Sequence, residues 1–418
     1  MMGTVASPDR HDQQQESRPA LHTPFCPAGR YLRGVIVYLD HAATTPLDPG
    51  VLAAMRPYLE AEFGNPSSLH ALGRAARAGV EAAREQVADA LGVAPLEVLF
   101  TSGGTESDNQ AVKGIAWAAR DAGRGRHLVT TAIEHHAVLD SCRWLAGSAG
   151  FELSVVPPQP DGVVDPERLL AAVRADTVLV SVMAANNELG TVQPLGVVGP
   201  ALRERGVALH TDAVQAFGRA PLDVDGWGIG ALALSAHKFN GPKGVGVLVL
   251  RRDLSAEPVL HGGGQERGLR SGTFNAAGIV GCGAAAALTA ETMATQIPRL
   301  RALRDRLLGA LLGVGGVTLN GSATARLPHN ANVAVEGCDG EALLLALDAA
   351  GVAASTGSAC QSGAAEPSHV LAAVGAPADR AHLRFTCGRT TTEQDVDAAA
   401  AAFTDCVKRL RDAGGGFL

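Results

Sequence analysis

No two of the seven cysteines, at positions 26, 142, 282, 338, 360, 387 and 406, are spaced as CxxC. A zinc site or a thioredoxin-like motif is therefore unsupported, and no metal is expected. The polar N-terminus has no apolar segment of the kind a signal peptide needs. No run of about 20 apolar residues offers a membrane span. A basic stripe is missing too: the net charge is −7, which argues against direct contact with DNA or RNA. No internal repeat is evident. These absences describe a cytoplasmic protein in a reducing compartment, with free thiols.

What is present suits a globular chain with room for two domains: 418 residues, 46% hydrophobic and 18% charged. Residues 1 to 34 are rich in Gln, Pro, His, Asp and Arg without a hydrophobic period. They read as a disordered leader or tag. From Val35 onward short apolar runs alternate with amphipathic stretches. The runs are 97–100, 127–129, 178–182, 207–209, 232–234 and 246–250, and the stretches include 70–92 and 107–120. That alternation predicts an α/β fold with a mainly parallel sheet covered on both faces. From about residue 296 the pattern changes to a helix over 296–312, β-like runs near 316–319 and 332–335, and helices over 340–350 and 392–410, which predict a smaller α+β domain.

In open α/β sheets ligands sit beyond the carboxyl ends of the strands. The polar residues following each run are therefore the informative ones. Thr101–Thr105, Glu134-His135-His136, Asn186-Asn187-Glu188, Thr211-Asp212 and Ser235-Ala236-His237-Lys238 would meet at one edge. A lysine after a buried strand can form a Schiff base once burial frees its amine, although Lys238 alone reads equally as a strand-end lysine. Asp212 could pair with a protonated pyridine nitrogen, or cap a turn. Gly103-Gly104-Thr105 opens a helix where amide groups can hold a phosphate, or it is a plain capped turn. His135 could stack on a ring or move protons, or be a packed structural histidine. Cys360 lies in Ala-Ser-Thr-Gly-Ser-Ala-Cys-Gln-Ser-Gly. Its small polar neighbours predict an exposed, mobile loop and a nucleophilic thiol. The other six cysteines read as inert. Arg384 offers a fork for an α-carboxylate, or a salt bridge.

Taken together, Tyr38–Pro46, Phe100–Ser107, Ala185–Gly190, Thr211–Gln215, Ser235–Lys238, Arg270–Thr273 and Gly357–Cys360 resemble the cysteine desulfurases of the NifS/IscS type. These belong to the fold-type I pyridoxal-phosphate enzymes, in the class V aminotransferase superfamily. The likeness runs over about residues 36–405. It implies a large domain at 48–295 with a mainly parallel seven-stranded sheet. It also implies a small domain, from 35–47 and 296–418, that carries the catalytic cysteine loop. Lys238 would carry pyridoxal 5'-phosphate and act as acid and base at the substrate carbon. Gly104, Thr105, Ser235 and His237 would bind the phosphate, and Thr273 would reach the phosphate of a neighbouring subunit in a homodimer with shared active sites. His135 would stack on the ring, Asp212 would pair with its nitrogen, and Gln215 would touch its phenolic oxygen. Asn187 and Arg384 would hold the carboxylate of L-cysteine. Cys360 would take the substrate's sulfur as a persulfide, releasing alanine, and pass it to an acceptor protein of iron–sulfur assembly or of tRNA or DNA sulfur modification.

Three positions depart from the family pattern: Asn240 stands where Tyr is common, Gly104 where Ala is frequent, and His41 where Tyr or Asn is frequent. A selenocysteine lyase, an aminotransferase or a kynureninase-like hydrolase would share Lys238 and Asp212 but would not need Cys360. A degenerate, non-enzymatic relative would have lost one of the three.

Overall fold

The computed structural model describes residues 36–357 and 368–414, together with Met1. Contacts divide the chain into two units, Met1–Ile36 and Val37–Leu418. The expected leader, apart from Met1, and the Cys360 loop lie outside the described residues.

Val37–Leu418 carries twelve described strands: β1 (Val37–Tyr38), β2 (Val98–Thr101), β3 (His127–Thr131), β4 (Glu152–Val156), β5 (Thr177–Ser181), β6 (Ala208–Asp212), β7 (Ala231–Ser235), β8 (Gly246–Leu250), β9 (Val317–Leu319), β10 (Asn330–Val335), β11 (Val352–Ala353) and β12 (Ala381–Thr386). Seven form one sheet in the order β2-β8-β7-β6-β5-β3-β4. Only β8 runs antiparallel to its neighbours there, so the expected mainly parallel seven-stranded sheet is the one observed.

Both faces of this sheet are buried, as continuous apolar runs require. Successive side chains point to opposite sides. Val98, Phe100, Val129, Val180, Val247 and Val249 enter one core, and Leu99, Leu128, Leu179, Leu248 and Leu250 the other. A third core gathers around the sheet β12-β10-β9 and draws in Val37, Leu39, Leu300, Leu307, Phe385 and Phe403.

Several elements differ from their expected form. β4 is missing from the sequence reading because it is an edge strand, largely exposed, and its sequence Glu-Leu-Ser-Val-Val has no continuous apolar run. The helix expected from Gln296 is the second half of a 37-residue helix, Ala276–Leu312, that continues through Pro298. Its first half is Ala- and Gly-rich, so its apolar face carries too little contrast to be read as a period. This helix is long and apolar enough by composition to cross a membrane, which the sequence reading did not foresee. Half of its most apolar window is buried against the rest of the fold.

Candidate active site

The carboxyl ends of the parallel strands and the following turns enclose a cavity of about 650 Å³. Ten residues expected at the site line it: Gly104, Thr105, His135, Asn187, Asp212, Gln215, Ser235, His237, Lys238 and Arg384. Thr273 is exposed and does not line it. Cys360 lies outside the described residues, but the chain on either side is fixed to the site. Gly357 is part of the cavity wall. Ser368 Oγ donates to Glu188 Oε2 at 2.6 Å, and His369 Nε2 lies 2.9 Å from the Glu134 carbonyl.

Gly103 precedes the helix Gly104–Asp121 without a side-chain cap, so amides of its first turn face the cavity unclaimed by the helix. A helix start of this kind favours an anion. A Cβ at Gly104 would meet Val214 Cγ2 at 2.9 Å, so the Val214 methyl occupies the space that an alanine would use. Ser235 lines the same end of the cavity, and His237 Nδ1 sits 3.0 Å from Thr44 Oγ1. Burial, then Lys238 and Lys243, push the His237 imidazole down to about 4, so it is neutral near pH 7.

Lys238 follows β7 in a short 3-10 turn. Its Nζ donates to the carbonyls of Ala42 and Ala43 at 2.6 and 2.8 Å. The N-terminal segment thus reaches across the molecule to hold the lysine, and the same Ala42 carbonyl accepts from Gln215 Nε2 at 2.9 Å. Arg219, half-buried, donates to the Lys238 carbonyl at 2.6 Å.

Asp212 closes β6, 6% exposed, and accepts from the Val214 amide at 2.9 Å. Burial raises its carboxyl, while His135, the Val214 amide and Lys238 draw it down. His135 starts a helix, His136–Ser148, and its Nδ1 accepts from the Ala137 amide at 3.1 Å. That bond leaves Nε2 to carry the proton of the neutral ring. Glu134 is fully buried, accepts from Thr131 Oγ1 at 2.7 Å and from the Met183 amide at 2.9 Å, and burial pushes it up to about 8. Asn186 turns its side chain inward to Ile133 and to the amides of Glu188 and Leu189, which leaves Asn187 for the cavity. Arg384, on β12, donates to the Asn187 carbonyl at 2.7 Å and to Asp40 Oδ1 at 2.9 Å, and its buried Nε has no partner among the described residues.

Sequence reasoning missed Asp40, Thr44, Asp108 and Arg219. Asp40 and Thr44 fall inside a quoted motif, but only their pairing partners, far away in sequence, reveal their roles. Five of the cysteines expected to be inert are free and buried. Burial pushes Cys142, Cys282 and Cys387 up to about 12, which removes them as thiolates.

A doubly covered sheet with a lysine, an aspartate and an uncapped helix start at its carboxyl edge defines the class, and the chain belongs to the aminotransferase class-V family, which matches residues 37–399. It is 48% identical to a cysteine desulfurase IscS of Methanosarcina thermophila over 90% of this chain and 93% of that protein. It is 49% identical to an IscS-like cysteine desulfurase of Mycobacterium tuberculosis, over 90% and 98%. Among solved structures, a NifS-like protein superposes with a TM-score of 0.84 at 36% identity, over 90% of this chain and all of that one. The activity is that of a cysteine desulfurase, a sulfurtransferase of a pyridoxal-phosphate-dependent family.

Proposed function

We propose that Lys238 holds pyridoxal 5'-phosphate in the cavity and that Cys360 receives the sulfur of L-cysteine. The observation that carries this reading is the convergence of Lys238, Asp212, His135 and the uncapped Gly104–Thr105 helix start on one cavity. The donor set fits the cofactor: helix amides, Ser235, Thr105 and His237 for a phosphate, and a buried carboxylate for a ring nitrogen. When bound, the cofactor supplies an electron sink at the substrate carbon.

The protein's own groups do the rest. Arg384 and Asn187 orient the substrate carboxylate, and the Arg384 Nε, without a partner among the described residues, supports that role. With the cofactor bound, His135 would cover its ring and Gln215 would meet its phenolic oxygen. Lys238 moves the proton at the substrate carbon. The Cys360 thiolate bonds to the substrate sulfur, the carbon–sulfur bond breaks, and the carbon takes up a proton, leaving alanine and a persulfide on Cys360. The anchoring of Gly357 and Ser368 at the site supports delivery of that thiol.

The rest of the reading concerns organisation. The chain forms a homodimer in which Thr273 reaches the partner's phosphate site. The exposure of Thr273 and of Leu59, Phe63 and Leu69, at 62, 74 and 89%, supports this. A small domain of 35–47 and 296–418 is supported by the third core, which joins Val37 and Leu39 to Leu300–Leu410. The protein is cytoplasmic, and a protein of iron–sulfur assembly or of tRNA or DNA sulfur modification accepts the sulfur.

The test is production of alanine and sulfide from L-cysteine with a thiol reductant. Wild type should be yellow and active. Cys360→Ala should stay yellow and lose sulfur release. A yellow protein inert towards cysteine, or an equally active Cys360→Ala, would overturn the sulfur assignment while leaving the cofactor reading intact.

A further inference from the structure

We propose that Asp108 is a positioning residue for the cofactor nitrogen: facing His210 and set beside Asp212, its carboxyl group keeps a proton and so confines the negative charge of the pair to Asp212. This rests on the reading that Asp212 faces that nitrogen.

Asp108 lies one turn into the helix Gly104–Asp121, is 1% exposed and lines the cavity. Its Oδ1 has no hydrogen-bond partner among the described residues, and His210 Nε2 lies 3.5 Å from it. His210 is fully buried on β6, two residues before Asp212 and therefore on the same face of the strand. Its Nδ1 lies 2.8 Å from Ser181 Oγ. Oxygens of Asp108 and Asp212 and a nitrogen of His135 lie within 4.8 Å of one another.

Two carboxyl groups this close, away from water, cannot both ionise. The groups around them decide which one does. His135, Lys238 and the Val214 amide all favour an ionised Asp212. Burial raises the Asp108 carboxyl, and Asp212 and Glu134, which it faces, raise it further. His210 gives Asp108 no positive charge, because burial lowers the imidazole to about 3. The proton therefore resides on Asp108. His210 then carries its own proton on Nδ1, donating to Ser181 Oγ, and turns the lone pair of its Nε2 towards Asp108 Oδ1, 3.5 Å away. Asn has the same shape and donates a hydrogen bond without charge, so it can substitute for a protonated Asp108 but not for an ionised one.

The test is titration of pyridoxal phosphate into the cofactor-free full-length chain, followed by the pH profile of the visible band. Asp108→Ala should weaken binding by about tenfold, the size of one pKa unit of interaction with Asp212, and displace the midpoint of the band's pH profile. Asp108→Asn should restore affinity to within about threefold of wild type. An Asp108→Asn protein as impaired as Asp108→Ala, or an Asp108→Ala protein matching wild type in both readouts, would overturn the proposal. Wild type that binds no pyridoxal phosphate would overturn the cofactor reading beneath it.

A second measurement needs no cofactor. An acid that stays protonated in the fold costs stability as pH rises above its unfolded value of about 3.9. The melting temperature of cofactor-free Asp108→Asn should therefore gain on wild type between about pH 5 and pH 8. A difference that is flat or that shrinks with pH means Asp108 is ionised, and the proposal fails.

Discussion

At the scale of single residues, the site is built from pairs that meet across long stretches of sequence. Arg384 shows this best: 344 residues separate it from Asp40, and a backbone carbonyl of Asn187 fixes its other terminal nitrogen. A lysine cannot hold both contacts and a substrate carboxylate, because it lacks the planar fork. Arg384→Lys should raise KM for L-cysteine by about tenfold or more with a smaller effect on kcat, measured from steady-state alanine formation. The departures from the family pattern also become intelligible at this scale. Asn240 has φ 65° and donates from Nδ2 to the Pro46 carbonyl; asparagine tolerates that left-handed conformation better than most residues. Gly104 goes with Val214, whose methyl fills the alanine space. His41 lies against Gly388, where an added Cβ would come within 2.1 Å of its Nδ1. Motif residues such as Lys238 and Asp212 were legible because chemistry restricts their type. Asp108 and Arg219 were not, because an aspartate or arginine beside the site looks in sequence like any helical or loop charge.

At the scale of elements, legibility followed burial contrast. The five-residue strands β5, β7 and β8 are buried at every position, and their apolar runs announced them. The exposed edge β4 did not. The long helix Ala276–Leu312 was read only in its charged half, since the Ala/Gly half shows no face. That half packs through its glycines. A Cβ at Gly283 would meet the Ala83 backbone at 2.6 Å, and one at Gly281 would meet Met55 Sδ at 2.6 Å. Alanine at Gly283 would gain about 1 kcal/mol of helix propensity. Overpacking against backbone, which cannot swing aside, costs about 1–3 kcal/mol. Gly283→Ala should therefore lower the urea midpoint despite being the better helix former, with the slope of the transition unchanged. A raised midpoint would mean that the helix Ala71–Leu91, which carries Ala83, moves aside easily.

At the scale of the whole molecule, buried ionisable groups around the site make stability depend on pH from both sides. Burial, with Arg219, pushes His41 down to about 4, and His237 is lowered to a similar value. The unfolded chain takes up these protons at about 6.5, so the stability they contribute is present above that pH and is lost as pH falls towards 4. Glu134 acts in the opposite sense. Raised to about 8, it stays protonated in the fold after the unfolded chain has released its proton near 4.5, so stability declines as pH rises through that window. Denaturation midpoints of the cofactor-free protein should show His41→Asn flattening the acid limb and Glu134→Gln flattening the alkaline one. A further consequence concerns force. The lysine's amine hangs on two carbonyls of the Ala42–Ala43 turn, only a few residues beyond the two-residue strand β1, whereas the main sheet has its own separate ladder. Tension applied at Val37 would peel β1 away first and strip the lysine of these two contacts while the seven strands still held, so β1 is a mechanical fuse for this part of the active site.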